Sequence, residues 1–359
     1  MAVKVFVVDD SAVVRQALAH MLAGNAEVEL IGSAPNALLA MEAIRKNPPD
    51  VLLLDIEMPG MDGLTFLRQI MAGTPIPTVI CSTLSTEGSK VALDALSAGA
   101  VAVLAKPKLG LKQHLEDSRH EMIQTLKTAA RARPRVQGAI PSIANKAVAT
   151  RAVGQLSRAA VLSGVHALAM NKPVLLGSST GGTQALELVL TQMPSDAPGM
   201  AITQHMPEKF TAMYAQRLNG LCAMNVREAK DGDRLERGVA LIAPGGRHMQ
   251  LQKVNGQYYV KVFDGPPVNR HKPSVDVLFK SAADCAGADA LGIIMTGMGD
   301  DGARGLKAMH DQGARCIAQN EETCVVFGMP KEAIKLMAVD DILPLEAIGR
   351  AILQFDSRA

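Results

Sequence analysis

Five side chains able to do chemistry close short apolar runs in the first third of the chain: Asp9 and Asp10 after VKVFVV, Asp55 after VLLL, Ser82 at the end of PTVICS, and Lys106 after VAVLA. Carboxylates held close repel, and they stay ionised at neutral pH only when they share a cation. A hard dication that takes few protein oxygens and keeps its waters is Mg2+. A lysine and a hydroxyl facing the same carboxylate supply the donors that an acyl phosphate's oxygens need. Each of the five alone reads as a solvated strand end. Together they read as one site.

A second set lies beyond Lys172: Ser178, Ser179 and Thr180 in GSSTGG, His205 in ITQHMP, and Asp301 in MTGMGDDGA. A glycine-rich strand-to-helix turn can cradle a phosphate on helix N–H groups. Here the GxGxxG spacing is absent, and the next strand ends in Gln204-His205 rather than in a ribose-binding acid. The other reading is nucleophilic catalysis. A hydroxyl attacks only when a general base lies within hydrogen-bond reach and a third group orients that base. The N–H groups of the helix that follows GG, aided by its dipole, would make an oxyanion site.

Both sets need parallel sheets to converge. The first body alternates β-branched runs with amphipathic stretches starting at Ser11, Asn36, near Gly63, near Ser89 and from Leu109. The second repeats that grammar in PVLLGSSTGGTQALELVL, GMAITQHMPEKF and DALGIIMTGMGDDGARGL. Strands alternating with helices predict sheets covered on both faces, with ligands outside the carboxyl ends at the switch in strand order. The expected fold is therefore α/β, with two doubly wound parallel-sheet domains: a flavodoxin-like one, then a Rossmann-like three-layer one. VALIAPGG, HMQLQKV and YYVKVF suggest a β-hairpin insertion in the second.

A length of 359 residues suits two such domains. With 48% hydrophobic and 20% charged residues, the composition excludes collagen-like, coiled-coil and wholly disordered chains. No apolar run reaches the roughly 18 residues of a membrane span, and MAVKVFVVDD lacks the long apolar region of a signal peptide. The expected location is cytoplasmic. Five cysteines, odd in number and without a CxxC pair, encode neither a disulfide framework nor a zinc site. Between Glu121 and Glu187 stand eight Lys and Arg and no acid, so the other 29 of the 37 cations face all 35 acids. That basic stretch is rich in Ala, Ser and Gly and reads as a tether, with a weak helix expected from Ala144 to Ala169, which lacks Pro and has scattered apolar positions. The expected division is 1–125, a linker over 126–168, and 169–359.

With VVDDS, DIEMPGMDG and KP at these strand ends, residues 1 to about 125 resemble a response-regulator receiver domain. The resemblance implies phosphorylation of Asp55, Mg2+ held by Asp9, Asp10, Asp55 and the backbone of Glu57, a switch hydroxyl at Ser82, and phosphate pairing by Lys106. Val103 departs from the aromatic residue common three positions before that lysine. With GSSTGGT, ITQHMP, APGGRHM, VNRHKPSVDVLF and MTGMGDDGA, residues from about 170 to 359 resemble the catalytic domain of the chemotaxis protein-glutamate methylesterases. That resemblance implies Ser179 as nucleophile, His205 as base, Asp301 as acid, and the backbone N–H groups of Thr180 and Met298 as oxyanion donors. His248, Arg270 and His271, with Ser274 and Asp276, would line the substrate pocket.

The family demethylates glutamate methyl esters on chemoreceptor cytoplasmic helices, and many members deamidate glutamines there. The implied partners are methyl-accepting chemoreceptors and a chemotaxis histidine kinase, with neither nucleic acid nor membrane insertion. The expected state is a monomer, and ester hydrolysis is expected to need no cofactor. Ser178 replaces a usual Ala, and Asp300 stands where Asn is common. Three alternatives remain open on sequence alone: hydrolysis of another ester, a non-catalytic docking module, and a DNA-binding response regulator, which the lack of a helix-turn-helix-like C-terminus and an aromatic content of only 3% disfavour. A metal held by His205, His248 and His271 is disfavoured, because no HxxxH or HExxH pairing supports it.

Overall fold

The computed structural model describes residues 2–82, 86–106, 112–132 and 172–357. Most of the basic stretch, including a weak helix expected over 144–169, lies outside them.

The apolar runs of the first body form β1 (Val3–Val8), β2 (Val28–Ala34), β3 (Val51–Leu54), β4 (Thr78–Ser82) and β5 (Ala102–Ala105). Each is followed by a helix: α1 (Ala12–Leu22), α2 (Ala37–Lys46), α3 (Gly63–Ala72), α4 (Thr86–Ser97) and α5 (Lys112–Ala129). Val5, Val8, Leu52 and Leu54 are fully buried, as strands sandwiched between crossover helices must be. Local polar residues start three of the helices. Ser11 Oγ accepts the Val14 N–H at 3.4 Å, Asn36 Oδ1 the Leu39 N–H at 3.0 Å, and Asp62 Oδ1 the Thr65 N–H at 2.8 Å, each satisfying an otherwise orphan donor. The strand order is β2-β1-β3-β4-β5. It reverses between β1 and β3, so Asp9 and Asp55 leave adjacent strands at the switch point.

The second body is a seven-stranded sheet built from β6 (Val174–Ser178), β7 (Met200–Gln204), β8 (Asn225–Glu228), β9 (Val239–Ile242), β12 (Leu291–Ile294), β13 (Arg315–Gln319) and β14 (Asp341–Leu343). Every pairing in it is parallel. Between β9 and β12 run β10 (His248–Val254) and β11 (Gln257–Phe263), an antiparallel hairpin. The hairpin is thus smaller than the sequence suggested, since VALI belongs to the main sheet. Its residues are apolar on both faces, which suits a covered strand rather than a hairpin edge. The helices are α6 (Gly182–Leu190), α7 (Glu208–Leu221), α8 (Val275–Cys285), α9 (Ala303–Asp311), α10 (Met329–Lys335) and α11 (Leu345–Asp356). The order β14-β13-β12-β6-β7-β9-β8 reverses between β6 and β12, which brings the turn after Ser178 beside the loop that carries Asp301.

The two bodies touch through α4 and α5. Leu93 and Leu96 of α4 share a buried apolar cluster with Leu186 of α6 and Phe210 and Tyr214 of α7. Gln184 Nε2 donates to the Leu96 carbonyl. Arg217 of α7 reaches Asp94 of α4 at 3.0 Å and Glu187 of α6 at 3.5 Å. At the end of α5, Thr128 Oγ1 meets the Met298 sulfur, and Val325 and Val326 pack against the apolar cluster that contains Leu126 and Ala129.

Candidate active site

Ser178 ends β6, Ser179 follows it, and the two enter different surroundings. Ser178 is fully buried, and its Oγ donates to Gln204 Oε1 at 2.6 Å. Gln204 Nε2 donates in turn to the carbonyls of Ser179 at 2.9 Å and His205 at 3.0 Å. Ser179, half-buried, sits in the turn before α6, with its N–H committed to the Thr296 carbonyl at 3.0 Å. That bond locks the turn to the loop after β12. The approach demands glycine at 297, where a Cβ would lie 2.7 Å from Ser179 Cβ. Gly181 follows at φ +78°, with Val325 Cβ 2.5 Å from where its own Cβ would lie. Among the described residues, the backbone N–H groups of Thr180 and Met298 have no acceptor. They stand on the two sides of the switch point.

His205 follows β7, and its Nε2 lies 2.8 Å from Asp301 Oδ2. Its Nδ1 is buried and unpartnered among the described residues. Asp301 is fully buried. Oδ1 accepts from Ser274 Oγ at 2.7 Å, Asn269 Nδ2 at 2.8 Å and the Asp276 N–H at 3.3 Å, while Oδ2 also accepts the Val275 N–H at 2.7 Å. Burial pushes this carboxyl up, but hydrogen bonding and charge from His205, with Ser274 and Asn269, outweigh it and hold Asp301 far below the usual carboxylate range. Asp300, by contrast, faces Arg304 at 3.8 Å on the surface.

The ring of His271 stacks on His205, centroids 3.7 Å apart and planes 8° from parallel. Burial, followed by the charge of His205, pushes its imidazole down from 6.5 to about 4. Between those values the unfolded chain binds a proton that the folded chain does not. Stability is therefore fully present above about pH 6.5 and is lost as pH falls toward 4, by an amount on the order of 3 kcal/mol. Urea unfolding from pH 7 to 4.5 is expected to show that slope in the wild type and a flatter one in His271→Phe. Equal slopes would assign the pH dependence to other groups.

The remaining pocket residues divide. Ser274 and Asp276 hold Asp301 rather than lining an open cleft, and Arg270 is exposed. His248 is buried at the start of β10, with Nε2 3.0 Å from the Pro266 carbonyl and its ring against Phe263. It lines a cavity of about 310 Å³ with Gln250, Val268, Val277 and Lys280. The side chains whose ligand atoms converge within 4.8 Å are His205, His271 and Asp301, so His248 is not part of that group. Residues that sequence reasoning missed are Gln204, Asn269 and Thr296, whose Oγ1 donates to the Thr180 carbonyl at 2.9 Å. The signal available for Asn269 was its place in VNRHKPS, a polar run just before a helix start.

In the first body, Lys106 Nζ bridges Asp55 at 2.7 Å and Asp9 at 2.9 Å. Burial pushes Asp55 upward, Lys106 opposes that, and Asp9 adds to it. Oxygens of Asp9, Asp10 and Asp55 lie within 4.8 Å of one another. The Glu57 N–H donates to Asp55 Oδ1 at 3.2 Å, and buried Ser82 accepts the Lys106 N–H on its carbonyl at 2.9 Å.

Fold and site together define a response regulator whose output domain is built as an α/β hydrolase. Residues 5–116 match the response regulator receiver domain family and 174–352 the CheB methylesterase family. A protein-glutamate methylesterase/protein-glutamine glutaminase of Chromobacterium violaceum is 54% identical over 98% of this chain and 99% of its own. One from Dechloromonas aromatica is 55% identical over 98% of each. The crystal structure of the Thermotoga maritima CheB methylesterase catalytic domain superposes with a TM-score of 0.50 at 35% identity, covering 51% of this chain and 98% of that one. The chain belongs to the CheB protein-glutamate methylesterase/protein-glutamine glutaminase family.

Proposed function

We propose that this protein hydrolyses glutamate methyl esters on the cytoplasmic helices of methyl-accepting chemoreceptors, and deamidates glutamines there, under control of Asp55 phosphorylation. The observation that carries the reading is the buried His205–Asp301 pair, whose members follow β7 and β12, the two strands that flank β6 and its Ser179 turn at the sheet's switch point. With Nε2–H donated to Asp301, the lone pair of His205 lies on Nδ1. Nδ1 takes the proton as Ser179 Oγ attacks the ester carbonyl. The oxyanion develops between the Thr180 N–H, in the turn before α6, and the Met298 N–H, in the loop after β12, both placed before charge appears. His205 then gives that proton to the leaving methoxide, which departs as methanol, or to the leaving amide nitrogen of a glutamine, which departs as ammonia; water, its proton taken by the same Nδ1 and passed to Ser179 Oγ, then hydrolyses the acyl-enzyme. Methanol release from methylated chemoreceptor membranes tests the reading. No release by the wild type would overturn it.

The donor set around Asp55 fits a hard dication, because three carboxylates cluster there while Lys106 pairs with two of them, Asp9 and Asp55. Asp9, Asp10, Asp55 and the Glu57 carbonyl would hold Mg2+, which when bound offsets the charge of the incoming phosphoryl group. A chemotaxis histidine kinase would be the phosphodonor, and the site of action the cytoplasm. Residues 1–125 would act as receiver, 126–168 as tether and 169–359 as hydrolase.

The contacts of α4 and α5 with α6, α7, Met298 and Val325 support a resting state in which the receiver restrains the catalytic turn. Phosphorylation can shift that state only by favouring another arrangement of the two domains. Arg217→Ala removes the ion pair to Asp94 at one edge of the contact. It is expected to raise methanol release by the unphosphorylated protein ~2- to 5-fold, and to shrink the stimulation by an acyl-phosphate donor. Unchanged rates with and without donor would show that the pair plays no part.

A further inference from the structure

We propose that the segment Val268–Ser274 is a positioning clamp for the catalytic pair, in which Asn269 orients Asp301 and the face of His271 orients His205. This rests on the hydrolase reading above. The segment is wound tightly: the Val268 N–H donates to the His271 carbonyl at 3.0 Å and the His271 N–H to the Val268 carbonyl at 2.9 Å. Between them Asn269 and Arg270 are both left-handed, at φ 49° and 68°. Such a turn favours Asn or Gly first and Gly second, and a long side chain at the second place is strained. Two non-glycine residues here imply that at least one side chain is used.

Asn269 uses both hydrogens of its amide. Its two Nδ2 hydrogens reach two buried carboxylates, Asp301 Oδ1 at 2.8 Å and Asp276 Oδ2 at 2.9 Å. Asp276 in turn accepts the Gly305 N–H of α9 at 2.7 Å. The amide therefore separates two like charges that would otherwise face each other, and it ties Asp301 to the heads of α8 and α9. His271 works differently. Its Nδ1 is buried without a partner among the described residues, while its ring lies flat on His205. A parallel ring at 3.7 Å blocks rotation of His205 away from Asp301. What the catalytic ring feels is a flat face, so another flat ring should serve.

The test compares His271→Phe, His271→Ala, Asn269→Ala and Asn269→Asp in the full chain, using methanol release from methylated chemoreceptor membranes. Wild type and Ser179→Ala run beside them, so that failure of the hydrolase reading shows as an inactive wild type. His271→Phe is expected to keep most of kcat, within about threefold. His271→Ala and Asn269→Ala should lose about 10- to 100-fold in kcat with KM little changed, the scale of a misoriented catalytic group. Asn269→Asp places a third carboxylate against two others, so its kcat relative to wild type should recover as pH falls from 8 to 5.5. Equal losses in His271→Phe and His271→Ala would make a ring nitrogen the active feature and overturn the clamp. So would a rise in KM at constant kcat, which would mark substrate contact. Should Asn269→Ala fail to fold, the His271 pair still decides.

Discussion

Replacing Ser179 with alanine is expected to lower kcat for methanol release by about 10⁴-fold or more, the scale seen when a hydrolase loses its nucleophile. Ser178→Ala is expected to stay within about tenfold of wild type. The contrast follows from where the two hydroxyls go. Ser178 Oγ is buried and bonded to Gln204 Oε1 at 2.6 Å, with Gly182 packed so closely that a Cβ there would lie 2.7 Å from it. No ester carbonyl can reach it. Losing it leaves a buried acceptor unsatisfied, so Ser178→Ala should show its effect in stability, at about 1–3 kcal/mol, read as a lowered Tm. Ser179 lies in the turn beside the Thr180 and Met298 N–H groups, which have no acceptor among the described residues. Full activity in Ser179→Ala would remove it from the mechanism.

Asp301→Asn should be nearly as damaging, lowering kcat by roughly 10³- to 10⁴-fold, the cost of imposing the wrong tautomer on a catalytic histidine. Five donors converge on the two oxygens of Asp301, from His205, Val275, Ser274, Asn269 and Asp276. An amide offers one oxygen and one NH2. If the NH2 faces His205, it takes the Nε2 lone pair and drives the proton onto Nδ1, the atom that must receive the Ser179 proton. If it turns the other way, it points at Asn269 Nδ2 and the Asp276 N–H. Both orientations leave a buried donor facing a donor, so kcat and Tm should fall together. Activity within tenfold of wild type would exclude Asp301 as the partner that orients the base.

Much of this was legible in the chain itself. The starts of α1 and α2 stand at Ser11 and Asn36, where a side-chain acceptor precedes an amphipathic run, because capping is a local interaction. The strand ends carrying Asp9, Asp55 and His205, and the end of β12 before the loop that carries Asp301, were readable for a similar reason: apolar runs of strand length stop where side chains become polar. The size of the hairpin was less legible. VALI and HMQLQKV differ mainly in which faces are covered, and coverage comes from distant segments. His248 and His271 stand in equally suggestive motifs, yet one lies against Phe263 and the other on His205. Motif context could not separate them, since each ring's neighbour comes from a different part of the chain.

Periodicity and residue type by themselves determined that two parallel-sheet bodies exist, that each gathers charged and nucleophilic side chains at one edge, and that a basic segment joins them. These depend on local patterning and on a topological rule that holds for any open parallel sheet. Only the tertiary structure decided which of two adjacent serines is buried against Gln204, which of two adjacent aspartates meets His205, and that Asn269 stands between Asp276 and Asp301. Neighbours in sequence point in different directions, and their surroundings are set by β7, the loop after β12 and the head of α8. Those elements lie from about 25 to more than 100 residues away from the Ser178–Ser179 turn, and only packing brings them together.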